Sequence, residues 1–181
     1  MALEARKSRD LFLIGCYTGL RVSDYTRLSK DHIVMLDGMD FFEIESRKTG
    51  RLVTIPIHPQ VRDIIETNNG ALPSRQPEQI INQNIKVIGA LAGINSPVTI
   101  EQTIGGRKVR RRYPKHDLIK THTARRSFCT NAYLEGLDCL DIMAVSGHTQ
   151  EANFLKYIKV TRRERAKRIA QHPFFRRSQD S

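Results

Sequence analysis

The 181-residue sequence has no tryptophan, only three cysteines and 7% aromatic residues, and it is poor in acidic side chains relative to basic ones. Each shortage excludes something. Cys16, Cys129 and Cys139 are odd in number and lack Cys-x-x-Cys spacing, which argues against a disulfide framework and a zinc site. Cys16 and Cys129 lie among apolar residues and read as small core fillers. No apolar run approaches the ~20 residues of a membrane-spanning helix, and the stretch bearing Glu4, Arg6, Lys7, Arg9 and Asp10 has no signal-peptide core. No glycine-rich loop ends in Lys-Ser or Lys-Thr, and no His/Asp/Glu cluster has metal-ligating spacing. The expectation is a cytoplasmic protein without cofactor, metal, membrane partner or small-molecule substrate.

Positive charge is what the chain has in excess. Lys and Arg number 30 against 19 Asp and Glu, for a formal charge of +11 and an isoelectric point near 10.0. A polyanion is the expected partner, with nucleic acid ahead of an anionic membrane surface. At 39% hydrophobic residues the chain can bury a core, so this is no disordered basic tail.

Hydrophobic spacing predicts a helix over Ser8–Tyr17, stopped by Gly19, and a short helix to Leu28 capped by Ser23. The period then shortens. Three strands are expected at His32–Leu36, Phe41–Ser46 and Leu52–Ile57, separated by Asp37-Gly38 and Lys48-Thr49-Gly50. A helix follows Pro59 and ends before Asn68. Pro77–Ala92 carries Ile80, Ile81, Ile85, Ile88 and Leu91 at helical spacing. A second hairpin spans Val98–Tyr113 around Gly105-Gly106. Helices resume at His122–Glu135, Cys139–Val145 and Asn153–Tyr157, and Thr161-Arg162-Arg163-Glu164 is a capping-box pattern opening a tail helix. The fold class is mainly α with a small antiparallel β-sheet.

The chemistry-bearing residues are spread along this pattern. Arg21 follows Thr18-Gly19-Leu20. His122 and Arg125 lie three apart near a helix N-terminus, where free amides and the helix dipole favour an anion. His148 follows Gly147, and Tyr157 comes nine residues later. Guanidinium groups stay protonated and pair with phosphate oxygens through two donors at once, so Arg21 and Arg125 suit a phosphodiester. A phenol with an ordinary pKa near ~10 attacks poorly at neutral pH unless a base or cationic field assists it; either His122 or the two arginines could serve. Lys48, in a hairpin turn between Arg47 and Arg51, could protonate a departing oxygen. Arg107, Lys108, Arg110, Arg111 and Arg112 make one strand strongly basic and suit backbone phosphates. Arg126, off the Arg125 face, reads as an ion-pair or phosphate-contact residue.

Thr18-Gly19-Leu20-Arg21, His122-Thr123-Ala124-Arg125, Gly147-His148 and Tyr157 together resemble the box pattern of the tyrosine recombinases, the phage-integrase and Xer-like family. The resemblance runs from about Leu11 to Tyr157. It implies the catalytic-domain fold of that family and strand exchange in double-stranded DNA through a covalent 3′-phosphotyrosyl link. It further implies catalytic roles for Arg21, Lys48, His122, Arg125, His148 and Tyr157, with His148 donating to the phosphate and Asp24 supporting the arginines. Related readings are a type IB topoisomerase or telomere resolvase, and a DNA-binding regulator that has lost catalysis. The resemblance divides the chain into a catalytic domain over residues 1–160 and a tail helix over 161–181, exchanged between protomers on DNA or packed on its own domain. Twenty residues precede Arg21, so the family's N-terminal core-binding domain is expected to be absent from this chain.

Overall fold

The computed structural model describes residues 2–176. Helix α1 spans Leu3–Thr18, starting five residues before the apolar period does, because Glu4, Arg6 and Lys7 carry no such signal. A polar clasp holds this early start. Ser8, fully buried, donates to Gln76 Oε1 at 2.6 Å and accepts from Asn84 Nδ2 at 2.8 Å, while Gln76 Nε2 donates to the Glu4 carboxylate at 2.6 Å. Gly19 ends the helix at φ 67°, and its own N–H donates to the Gly15 carbonyl. A β-carbon there would lie 2.3 Å from the Phe128 ring, so both the turn and the packing require glycine.

Helix α2 (Val22–Tyr25) departs from expectation at both ends. Arg21, extended at ψ 156°, is its N-cap residue, so Ser23 falls inside the helix and caps nothing; Thr26 closes it, its hydroxyl donating to the Val22 carbonyl. Strands β1 (Ile33–Leu36), β2 (Met39–Glu45) and β3 (Leu52–Pro56) form one antiparallel sheet in that order. Phe42 pairs with Ile55 and Ile44 with Val53, all four buried, which is the two-residue alternation of a half-buried sheet. His32 belongs to the 3-10 turn Lys30–His32 rather than to β1, because its ring accepts the Ser29 N–H and curls the chain.

Helix α3 (Pro59–Thr67) opens on proline as expected, and α4 (Glu78–Leu91) buries Ile81, Ile85 and Gly89. Ile80 and Leu91, expected on the inner face, are exposed. Among the described residues β4 (Pro97–Ile104) and β5 (Arg107–Pro114) pair only with each other, as a two-stranded ribbon one residue longer at each end than the spacing indicated. Helices α5 (Thr121–Leu134) and α6 (Cys139–Ser146) follow. Helix α7 (Glu151–Leu155) comes two residues earlier than expected and leaves Tyr157 outside it.

Two apolar clusters result. Leu11, Ile14, Phe42, Ile44, Ile55, Val61 and Ile81 join α1, the sheet, α3 and α4; Cys129, Tyr133, Ile142, Phe154 and Ile158 hold α5, α6 and the segment after α7. Cys129 is fully buried and Cys16 half-buried, and burial pushes their thiols up to about 11 and about 12. The domain is therefore mainly α with small antiparallel sheets. Among the described residues no helix is long and apolar enough to cross a membrane.

Beyond Ile158 the tail forms α8 (Arg162–Ala170), with the expected Thr161–Glu164 capping box, and α9 (Pro173–Arg176). Residues 177–181 of the expected tail lie outside the described residues. The tail touches its own domain through Arg168, whose guanidinium lies 4.1 Å from the centroid of the Tyr133 ring. Ile169, Phe174 and Phe175 stay exposed at 43%, 72% and 62%.

Candidate functional site

Helix α5 carries the centre of the site, and α4 fixes its first turn. The Thr121 N–H donates to Asn82 Oδ1 at 2.8 Å and its hydroxyl to Glu78 Oε1 at 2.5 Å. His122 and Arg125, three residues apart, then face the end of α1. With Arg21, Val22, Glu78 and Thr121 they line a cleft of about 190 Å³.

Arg125 is only 2% exposed, which a guanidinium tolerates when its donors are used. Its Nη1 donates to the carbonyls of Gly19 and Ser146, at 2.6 and 2.5 Å, and its Nη2 donates to His148 Nε2 at 3.0 Å. Those carbonyls close α1 and α6, whose C-terminal ends have unpaired acceptors and favour a cation. Burial first, and Arg21 second, pull the Arg125 pKa down to about 10, which leaves it charged at neutral pH. Among the described residues its buried Nε has no hydrogen-bond partner.

The Ser146 hydroxyl determines the state of His148. Its single proton goes to the Ile142 carbonyl at 2.6 Å, so towards His148 Nδ1, 2.7 Å away, it can only accept. Nδ1 therefore carries the ring proton and Nε2 is the acceptor that meets Arg125. Burial, then Arg125 and Arg21, push the His148 pKa down to about 3, so the ring is neutral. The resemblance implied a donor to phosphate, whereas here Nε2 is turned to Arg125 as an acceptor. His122 is also held below the usual histidine value, by burial first and then by Arg125, Arg126 and Arg21. It is neutral at pH 7 and able to take a proton.

Tyr157 sits between the two imidazoles. Its ring centroid is 4.7 Å from that of His148 and 5.1 Å from that of His122, both edge-on, and 5.7 Å from Arg125 Cζ. Arg21 also meets the start of the β2–β3 turn, its Nη1 3.5 Å from Ser46 Oγ. Asp24, 1% exposed, does not bond Arg21 directly. It accepts from Ser46 Oγ at 3.3 Å and the Arg47 N–H at 3.1 Å, and it pairs with Arg27 at 3.6 Å.

The structure thus brings Arg21, His122, Arg125, His148 and Tyr157 together. Lys48 is not in contact with them; it stands exposed in the β2–β3 turn, two residues beyond Ser46. Arg47 and Arg51 flank it, also exposed. Arg107, Lys108, Arg110, Arg111 and Arg112 are exposed on β5, where Glu101 of β4 pairs with Lys108 at 3.3 Å and Arg110 at 2.8 Å. Arg126 points away from the cleft and lines a groove with Lys115 and Lys159. Sequence reasoning missed Ser46, Ser146 and Glu78. Ser146, two residues before His148, had a local signal; the other two meet the site only through tertiary packing.

The fold is one that solved recombinase structures share. Over 94% of its length the chain superimposes on XerH site-specific recombinase bound to palindromic difH substrate, with a TM-score of 0.66 at 15% identity. It covers 96% of itself on XerA recombinase (TM-score 0.63, 17% identity, 65% of that chain) and 84% on a lambda integrase dimer bound to a COC′ core site (0.58, 15%, 52% of that chain). At these identities the likeness is one of fold. The chain spans about half of the XerH chain, 47%. No curated protein matches it in sequence. The profile of the family described as "Phage integrase family" matches residues 3–164, a span that includes both arginines, both histidines and Tyr157, and the chain belongs to that family.

Proposed function

We propose that this chain is the catalytic domain of a site-specific DNA recombinase or integrase that cleaves and rejoins strands through a 3′-phosphotyrosyl intermediate. The observation that carries this is the convergence on Tyr157 of two neutral imidazoles and the Arg125 guanidinium, beside a cleft that Arg21 also lines. The Tyr157 oxygen bonds to phosphorus while the bond from phosphorus to the 5′ oxygen breaks. His122 takes the phenol proton. Arg21 and Arg125 hold the non-bridging oxygens as charge builds on them, and the unused Nε of Arg125 is one donor an incoming phosphate completes. The energy of the broken bond stays in the phosphotyrosyl link, so attack by a second hydroxyl reverses the step. Duplex DNA as partner is supported by the charge of +11 and by the similar folds found in DNA complexes of XerH and lambda integrase. The test is incubation with a nicked duplex half-site, selected for binding from a random-sequence pool, in the presence of a chelator. A protein–DNA adduct on a denaturing gel supports the reading, and a shift in native gels alone supports a binder.

Lys48, exposed in its turn, is proposed to swing into the DNA and protonate the leaving 5′ oxygen. Lys48→Ala is then slow on ordinary DNA and largely recovered when that oxygen is replaced by sulfur, because a thiolate leaves without a proton. Equal loss on both substrates makes Lys48 a groove contact instead.

Residues 161–181 are proposed to act as a tail that docks on a neighbouring protomer, since Phe174 and Phe175 are largely exposed and Ile169 is only partly covered among the described residues. Truncation after Lys159 should leave the melting temperature nearly unchanged and half-site cleavage intact, and remove cooperative assembly on two half-sites. A large fall in melting temperature shows instead that the tail belongs to its own core.

A further inference from the structure

We infer that Thr130 is a positioning residue for the nucleophile, setting where Tyr157 stands relative to Arg125; this rests on the reading of Tyr157 as nucleophile. Hydroxyl residues inside or at the end of a helix commonly either face solvent or donate back to the carbonyl four residues earlier. In this chain Thr18 donates back to Ile14, Thr26 to Val22 and Ser146 to Ile142. Thr130, in the middle of α5, does something else. Its hydroxyl donates to the Tyr157 carbonyl at 2.9 Å and accepts from the Lys159 N–H at 3.2 Å.

The consequence follows from where Tyr157 lies. Helix α7 ends at Leu155, and the next backbone bonds, from the Tyr157 N–H to Phe154 and from the Ile158 N–H to Leu155, stay within that segment. They hold the segment's shape without relating it to the arginines. One hydroxyl of α5 brackets the tyrosine from its carbonyl to the amide two residues on. The same helix bears His122 and Arg125, so the proposed base, the phosphate clamp and the anchor of the nucleophile form one rigid piece. The Tyr157 ring can then meet both imidazoles edge-on with its backbone pinned on the far side.

Thr130 is half-buried and lines a groove with Asn131 and Lys159, so exchanging its hydroxyl for a methyl disturbs little close packing. The experiment compares the wild-type 181-residue chain, Thr130→Val, Thr130→Ser and Tyr157→Phe on the selected nicked half-site, reading the rate of adduct formation and the half-site Kd separately. A misplacement of about 1 Å at a reacting group can cost about 100-fold in rate, so Thr130→Val should cleave about 10- to 100-fold more slowly with Kd within about two-fold of wild type. Thr130→Ser, which keeps the hydroxyl, should recover most of the rate. A wild-type rate for Thr130→Val, an equal loss in Thr130→Ser, or a parallel loss of half-site binding in Thr130→Val overturns the assignment while leaving Tyr157 as nucleophile. Adducts formed by Tyr157→Phe overturn the nucleophile itself, and Thr130 with it.

Discussion

Tyr157→Phe is expected to abolish covalent attachment to a nicked half-site while leaving binding nearly unchanged. The substitution removes one oxygen and no charge, and the ring that packs against the second apolar cluster stays. Arg125 and His148 keep their positions, because the Gly19 and Ser146 carbonyls, the Ser146 hydroxyl and their own mutual bond hold them without the phenol oxygen. Without the phenol oxygen nothing remains to form the bond to phosphorus. Gel-shift and denaturing-gel assays on the same samples check both halves of the expectation. Persistent adducts would place the nucleophile elsewhere, with Tyr113 and Tyr133 the next to test.

Arg125→Ala is expected to lose both catalysis and stability, and the pairing of the two distinguishes it from Arg21→Ala. Removing a donor aimed at a developing oxyanion costs about 100- to 1,000-fold in rate, and either arginine should show at least that. Stability is where they part. Arg125 is the donor to two buried carbonyls, Gly19 and Ser146, and each orphaned acceptor costs about 1–3 kcal/mol. Relief of the cation's own burial offsets part of this, so a net loss of about 2–4 kcal/mol in denaturant unfolding is expected. Arg21 is half-buried and among the described residues makes one long bond, to Ser46, so its replacement should cost roughly 1 kcal/mol or less. Equal stabilities for the two variants would mean that the helix-end carbonyls find other donors.

The parts of the site that were legible in the sequence are those set by local spacing. His122 and Arg125 share a face because they are three apart on a helix, and the αL glycines at 19 and 147 mark the two helix ends on which Arg125 rests. The strands of the first sheet were legible for the same reason, through alternation. What sequence spacing could not show is which polar groups meet across distance. Ser46 reaches Asp24 over 22 residues and Thr130 reaches Tyr157 over 27, and neither hydroxyl differs in sequence from a solvated one. The capping of α2 was misread because Ser23 is a good cap in isolation, whereas the extended backbone of Arg21 starts the helix two residues earlier. His148 shows the same limit: its role as acceptor depends on where the one proton of Ser146 goes.

The central claim is that Tyr157 becomes covalently joined to a DNA 3′ phosphate. Wild-type protein is trapped on the selected nicked half-site, the DNA and protein are digested, and the cross-linked peptide is sequenced by mass spectrometry. The account predicts a nucleotide attached through its 3′ phosphate to the peptide containing Tyr157, formed equally in the presence of a chelator. A link to any other residue, a link through a 5′ phosphate, or no adduct on a duplex that the chain binds tightly would contradict it.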